Sequence, residues 1–324
     1  MKENQKLITY IILAHHKPEL LFKLIEKLNH DKVNFLIHWD KNSKCDFIKV
    51  QQFCSSYKNC KVYCKYPVQW MGFSIIKSTL LLMRESIKHS YSKYYVLMSG
   101  QDYPIKPLNT ILKFFEDNNR NFISLNYLSD LGKSFRDKVD YYHFLDFPLW
   151  NPKSKHRNFF FYKIYFSLFV KRIQKLFPKR RMYKNFIPYF GSQWFALTYE
   201  TVRDILKFVD ENPGYSKFMK YVESPDEVFF HTIIGNTNHL RSNVMEIEDF
   251  DKWSELPNKV PPFVYKWGSL RYMDWESPNR EKPAVLDMRD FDNLKKSHLL
   301  FCRKIDERSN ELINCLDVFL ETNN

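Results

Sequence analysis

Lys6–Ala14 reads KLITYIILA and runs straight into His15-His16-Lys17-Pro18. A short run so rich in β-branched and aromatic residues is a buried strand, and it is too short to cross a membrane. Working outward, Pro18–Leu28 carries leucines and Phe22 at helical spacing, and Val33–Trp39 is a second strand that ends at Asp40-Lys41. A polar helix and a short strand near Val62 follow. Phe73–Lys88 is a helix, Tyr94–Met98 an apolar strand entering Ser99-Gly100-Gln101-Asp102, Leu108–Glu116 a helix and Asn121–Leu125 a strand. Later, Gly191–Thr198 reads as a strand, Glu200–Val209 as a helix and Asp290–Lys296 as a short helix. Strands alternating with helices predict an α/β fold with a mainly parallel central sheet flanked by helices. Ligands of such sheets sit beyond the carboxyl ends of the strands. Asp40 and Asp102 both fall at such ends, although a loop aspartate after a strand is also an ordinary turn residue.

Composition narrows the chemistry. The seven glycines are spread so widely that no two lie closer than 21 residues, which excludes both the P-loop and the dinucleotide fingerprint. A bound phosphate would have to be met by side chains or a helix terminus. The six cysteines form no Cys-x-x-Cys pair and no zinc spacing, so free thiols in a reducing compartment are expected. Nowhere do 18 apolar residues run unbroken, and the first apolar run is too short for a signal segment. A cytoplasmic protein follows, soluble or peripheral on the inner face of the membrane.

The formal charge of +13 is unevenly placed. Residues 151–199 contain no Asp or Glu and eleven Lys or Arg, leaving the remainder at +2. Within this insert, taken as residues 151–189, Lys163, Ser167, Lys171 and Lys175 recur every fourth residue opposite Phe159, Tyr162, Phe166 and Phe169. That is a basic amphipathic helix. It either packs on the domain with its lysines in water or docks on anionic lipid, at about 1 kcal/mol per basic residue near the surface. Nucleic acid is not an expected partner, because the aromatics do not interleave the charges. With no repeat or low-complexity linker, the chain reads as one domain, 1–324, carrying this insert.

Ser224-Pro225-Asp226-Glu227 precedes the apolar Val228–Ile234. Ser at the N-cap, Pro at the first helical position and Glu at the third spell a capping box. The same spacing would hold Glu227 at a helix mouth, where the ionised form is favoured and a general base could work. Asp249-Phe250-Asp251 and Asp290-Phe291-Asp292 resemble metal-binding Asp-x-Asp pairs but do not follow apolar strands, so no metal site is expected. Arg303-Lys304, after Leu299-Leu300-Phe301, is the better partner for a diphosphate; its plain alternative is a solvated helix start.

Eight segments then occur in one order: IILAHHKP, IHWDKNS, Trp70-Met71-Gly72-Phe73-Ser74, LMSGQDYPIK, GSQWFALT, SPDEVFFHTII, RYMDW and LFCRKID. Together they resemble the core-2/I-branching β1,6-N-acetylglucosaminyltransferase and peptide O-xylosyltransferase family over most of the chain. The resemblance implies a GT-A-like nucleotide-sugar domain that inverts the anomeric centre without a metal or other cofactor. It implies Glu227 as the base that deprotonates the acceptor and Arg303 and Lys304 as the cations on the leaving diphosphate. Asp102 corresponds to an aspartate of the sugar-binding turn, Asp40 to a uridine or ribose contact, and Trp194 to a sugar-side or acceptor-side tryptophan. His15 and Trp70 would line the same cleft. The membrane anchor, stem and disulfides of the family's eukaryotic members have no counterpart in this sequence, and neither does their chain offer one for residues 151–189.

The expected activity is therefore transfer of a sugar, N-acetylglucosamine first, from a UDP-sugar to a hydroxyl of a glycan or lipid-linked saccharide in surface polysaccharide synthesis. Xylosyl, glucosyl or galactosyl transfer on the same scaffold is the alternative within enzymes. A non-catalytic basic module that binds carbohydrate or membrane is the alternative outside them.

Overall fold

In the computed structural model, which describes residues 5–147, 176–245 and 268–322, the opening apolar run is strand β1 (Gln5–Ala14). Its twofold alternation sends Tyr10, Ile12 and Ala14 to one buried face and Ile11 to the other. The chain continues through α1 (Pro18–Leu28), β2 (Val33–Trp39), α2 (Phe47–Ser55), β3 (Cys60–Tyr63), α3 (Ser74–His89) and β4 (Tyr91–Ser99). Next come β5 (Tyr103–Pro104), α4 (Leu108–Asp117), β6 (Asn126–Tyr127) and α5 (Lys133–Asp140). After residue 176 follow β7 (Tyr189–Phe190), β8 (Ala196–Thr198), α6 (Tyr199–Glu211), α7 (Pro213–Met219), α8 (Phe229–Gly235) and α9 (Asn238–Arg241). The last described stretch holds β9 (Arg271–Tyr272), α10 (Phe291–Lys296), β10 (Phe301–Cys302) and α11 (Asn310–Thr322).

The central sheet has the order β3-β2-β1-β4-β8. Its first four strands are parallel, with Ile8 opposite Val33 and Tyr94, and β8 closes one edge antiparallel to β4. From β1 the chain moves outward through β2 to β3 and then returns to place β4 on the other side of β1, so a crevice opens where the strand order reverses. Helices cover both faces. Ile76, Leu80 and Met83 of α3 and Val202 and Ile205 of α6 pack on Ile11 and Leu97. Leu24 of α1, Val50 of α2 and Ile111 and Phe115 of α4 pack on Tyr10, Ile37 and Met98. Each such aliphatic side chain contributes about 1.5–3 kcal/mol relative to leaving it in water. A third cluster joins Tyr103, Cys302 and Ile305 to Leu312, Ile313 and Leu316 of α11 and fastens the small sheet β5-β10-β9 below the crevice.

Two predicted strands are shorter than expected. Asn121–Leu125 makes only isolated bridges, Asn121 to Val244 and Phe122 to Ala196. Its ladder cannot extend because the chain is pressed between two glycines. A Cβ on Gly191 would stand 2.2 Å from the Ser124 carbonyl oxygen, and one on Gly268 would stand 2.2 Å from the Ser124 nitrogen. Likewise only Ala196–Thr198 of the predicted strand at residues 191–198 pairs in the sheet; residues 191–194 turn out of it toward the crevice. The amphipathic run at residues 159–175 lies outside the described residues, as does Asp249-Phe250-Asp251. The described end of the basic insert packs on the domain: Arg180 stacks 3.8 Å from the Phe218 ring and 4.9 Å from that of Tyr142.

Candidate active site

The carboxyl ends of three parallel strands meet at one cavity of about 270 Å³. β1 brings Leu13, Ala14 and then His15, β2 brings His38 and then Asp40, and β4 brings Ser99. Trp70, Gln193, Trp194, Asp226 and Arg303 join the wall, with Val68 and Ile75. Five residues singled out in the sequence, His15, Asp40, Trp70, Trp194 and Arg303, are thus brought together. Asp102, Glu227 and Lys304 do not line this cavity, and each is placed differently.

Asp40 ties down its own rim. Its backbone N–H donates to the Ala14 carbonyl at 2.8 Å, and its Oδ1 accepts from the N–H groups of Asn42 and Val68, both at 2.9 Å. Oδ2 makes no hydrogen bond to the described residues and remains able to accept one from a ligand. Below it, burial holds His38 neutral, with its pKa lowered to about 4, and its Nε2 accepts from the Tyr66 N–H. Trp70 stands at the mouth, 47% exposed, on a turn where Met71 has φ 63° and Gly72 packs on Asp146. Asp146 Oδ1 accepts from the Ser74 N–H at 3.0 Å, and a Cβ on Gly72 would stand 2.4 Å from that oxygen.

Asp102 is fully buried and does not face ligand space. Its Oδ2 accepts from Arg271 Nε at 2.8 Å and from the Ser99 N–H at 3.1 Å, and its Oδ1 accepts from an Arg303 terminal nitrogen at 2.9 Å. Arg271, also fully buried, spends its other nitrogens on the carbonyls of Ser269 and Leu97. The indole of Trp194 lies against both guanidiniums, 4.4 Å from Arg303 and 5.3 Å from Arg271. Asp102 and Trp194 therefore fix the plane of Arg303, which lines the cavity. Lys304 points elsewhere, 3.9 Å from Glu281 and about a third exposed. Arg303 and Lys304 directly follow strand β10, which removes the helix-start alternative. The peptide bond between them is cis.

The capping box at Ser224 does not form. Ser224 is left-handed (φ 51°, ψ 58°), its side chain makes no cap, and its N–H donates to the Met71 carbonyl. Pro225–Glu227 is a single 3-10 turn, and α8 starts only at Phe229. A Glu at the third position would need to reach back to the Ser224 N–H, which the Met71 turn has taken. Glu227 instead pairs with Lys138 of α5, Oε2 to Nζ at 3.3 Å, with both side chains about three-quarters buried. The expectation that a helix mouth keeps Glu227 strongly ionised is also corrected. Burial pushes its carboxyl up to about 7, against the opposing pull of the Lys138 ammonium. Asp226 beside it is raised to about 6, again by burial.

Asp290, the first acid of the second Asp-x-Asp pair, is already engaged. It is buried in a capping box, where its oxygens accept from Arg280 and from the Asp287 N–H. Sequence reading missed Arg271, Lys138 and Asp226. Arg271 carried a usable signal, since an arginine inside the apolar stretch Leu270–Met273 is costly unless a buried acid meets it. Lys138 carried none. Asp226 stood in the quoted motif but was given no role. The turn that presents Gln193 and Trp194 is clamped from behind: His231 Nε2 donates to the Ser192 carbonyl at 2.9 Å, and the Gly191 N–H donates to the Glu227 carbonyl at 3.0 Å.

A parallel-rich sheet flanked by helices, with a polar cavity beyond the ends of β1, β2 and β4, is consistent with a GT-A-like glycosyltransferase domain. The profile of the Core-2/I-Branching enzyme family matches residues 8–295, and the chain belongs to that family. Xylosyltransferase 1 of Rattus norvegicus is 24% identical over 333 residues, covering 100% of this chain and 36% of that protein. Xylosyltransferase 1 of Mus musculus is 25% identical over 333 residues, covering 100% and 31% respectively. Xylosyltransferase 2 of Rattus norvegicus is 24% identical over 327 residues, covering 97% and 33%. The chain spans about a third of the length of these curated relatives. No helix among the described residues is long and apolar enough to cross a membrane.

Proposed function

We infer that the chain transfers a sugar from a UDP-sugar to a hydroxyl of a glycan or lipid-linked saccharide, with inversion and without a metal ion. The observation that carries this reading is the clamped Arg303 in a strand-end cavity whose far wall continues into the Asp226-Glu227 turn. Arg303 meets the diphosphate, and Lys304, outside the cavity beside Glu281, adds positive charge only from a distance. Asp40 accepts from the nucleoside. Glu227 sits beside the donor cavity rather than in it, which is where an acceptor hydroxyl would approach. Its carboxylate takes the hydroxyl proton while the oxygen attacks the anomeric carbon. The bond to the diphosphate breaks, and the electron pair leaves on the phosphate oxygen that Arg303 faces. A base with a pKa near 7 is well matched to neutral pH and supplies roughly 10²–10⁴-fold. Fixed cations at the leaving group stabilise charge that grows in the transition state.

N-acetylglucosamine is the first donor sugar of this reading. Xylose is the second, favoured by the names of the relatives. Titration of UDP and a panel of UDP-sugars into the chain, followed by UDP release with EDTA present, tests donor and metal independence together. Release that requires added metal, or no binding by any UDP-sugar, would overturn it. For the basic insert the reading is contact with an anionic membrane surface. Flotation with phosphatidylserine vesicles should fall when Lys163, Lys171, Arg172 and Lys175 are neutralised, and equal flotation would sink that part.

A further inference from the structure

Several buried side-chain atoms, among them Tyr10 Oη, Asp146 Oδ2, Asp226 Oδ1 and His231 Nδ1, have no hydrogen-bond partner among the described residues. Of the residues so marked, only Asp226 is on the wall of the strand-end cavity. A buried carboxylate oxygen without a donor is costly, and such groups in folded proteins normally find a partner. The described residues do not supply one. Glu227, next in the chain, is held by Lys138; Asp40 already accepts two backbone N–H groups; both oxygens of Asp102 are taken. Among the described residues, Asp226 is thus, together with Oδ2 of Asp40, an acidic acceptor on the cavity wall that is left without a donor.

What fills it follows from what else the cavity presents. Arg303 and Asp226 line the same cavity, so a diphosphate held at Arg303 can carry its attached sugar against Asp226. An ionised carboxylate only accepts, and a sugar ring presents hydroxyl donors. Asp226 is also one residue from the proposed base, Glu227. A ring hydroxyl gripped there would orient the anomeric carbon toward the acceptor side.

We propose that Asp226 is a donor-sugar recognition residue: its carboxylate accepts a hydrogen bond from a ring hydroxyl of the UDP-linked sugar and helps set which sugar is transferred. The assignment rests on the transferase reading above and adds to it a specificity-determining contact that neither the capping role nor the base role of this turn requires.

The test compares UDP with UDP-sugars on wild type, Asp226→Asn and Asp226→Ala by calorimetric titration. UDP should bind all three chains within about twofold. The UDP-sugar that binds wild type best should weaken by roughly 10- to 100-fold in both variants, the loss expected for a hydrogen bond to a charged group. Single-deoxy analogues of that donor supply a readout on wild type alone. One of them should lose a similar factor, and that same analogue should lose nothing more in Asp226→Asn. Full UDP-sugar affinity in Asp226→Asn, or no deoxy donor weakened on wild type, would overturn the assignment and leave Asp226 as an oxygen met by solvent. Failure of every UDP-sugar to bind wild type would instead overturn the transferase reading itself.

Discussion

Replacing Asp102 by asparagine removes the one negative charge that two guanidiniums share in the interior. Asp102 and Arg271 are both fully buried, so the arginine charge has no solvent to fall back on. Breaking such a pair by deleting one partner costs roughly 3–5 kcal/mol, a large part of a typical total stability of about 5–15 kcal/mol. At a urea slope of about 3 kcal/mol per molar, the unfolding midpoint should fall by roughly 1–1.7 M with the slope unchanged. The double variant Asp102→Asn with Arg271→Met should recover much of that loss, because no charge is then left unpaired. Function separates from stability here. Arg303 loses its anchor at 2.9 Å in both variants, so UDP affinity should stay low in the rescued double variant. A single variant that costs less than about 1 kcal/mol, or a double variant that restores UDP affinity together with stability, would refute the clamp.

Two further perturbations follow from the same geometry. Glu227 works only when ionised and its pKa is raised to about 7, so UDP release should rise with pH up to about 7 and level off above it; Lys138→Met removes the cation that lowers that value and should shift the rise to higher pH, and a pH profile that does not move would disconnect the pair from turnover. Gly191→Ala drives a Cβ into the Ser124 carbonyl and should lower stability by about 1–3 kcal/mol in thermal unfolding, whereas an unchanged midpoint would mean the turn relaxes freely.

Local pattern carried the sheet. Pro18–Leu28 and Val33–Trp39 occur with the boundaries that spacing predicts, because their apolar periodicity and their burial agree. It failed where tertiary contacts decide. Asn121–Leu125 has strand composition, yet its backbone partners alternate between Val244 and Ala196 and no ladder can run. Ser224-Pro225-Asp226-Glu227 has the residues of a capping box, yet the Ser224 N–H is claimed by Met71, more than 150 residues earlier, which no local pattern encodes. The site divides the same way. His15, Asp40, Trp70, Trp194 and Arg303 were legible through ordered motifs and do meet in one cavity. Arg271 and Lys138 were not, because their roles consist of single long-range ion pairs, 169 and 89 residues apart in sequence. Asp102 was found for its place after a strand, and its job proves to be holding Arg303 rather than facing ligand.

The central claim is that Glu227 is a base and not a structural acid. The direct measurement is UDP release from the best-binding donor by wild type and Glu227→Gln, alongside donor titration on both. Donor affinity should survive within a few-fold while turnover falls by roughly 10²–10⁴-fold. Turnover kept near the wild-type level with the donor still bound would contradict it and leave Glu227 as the partner of Lys138 alone.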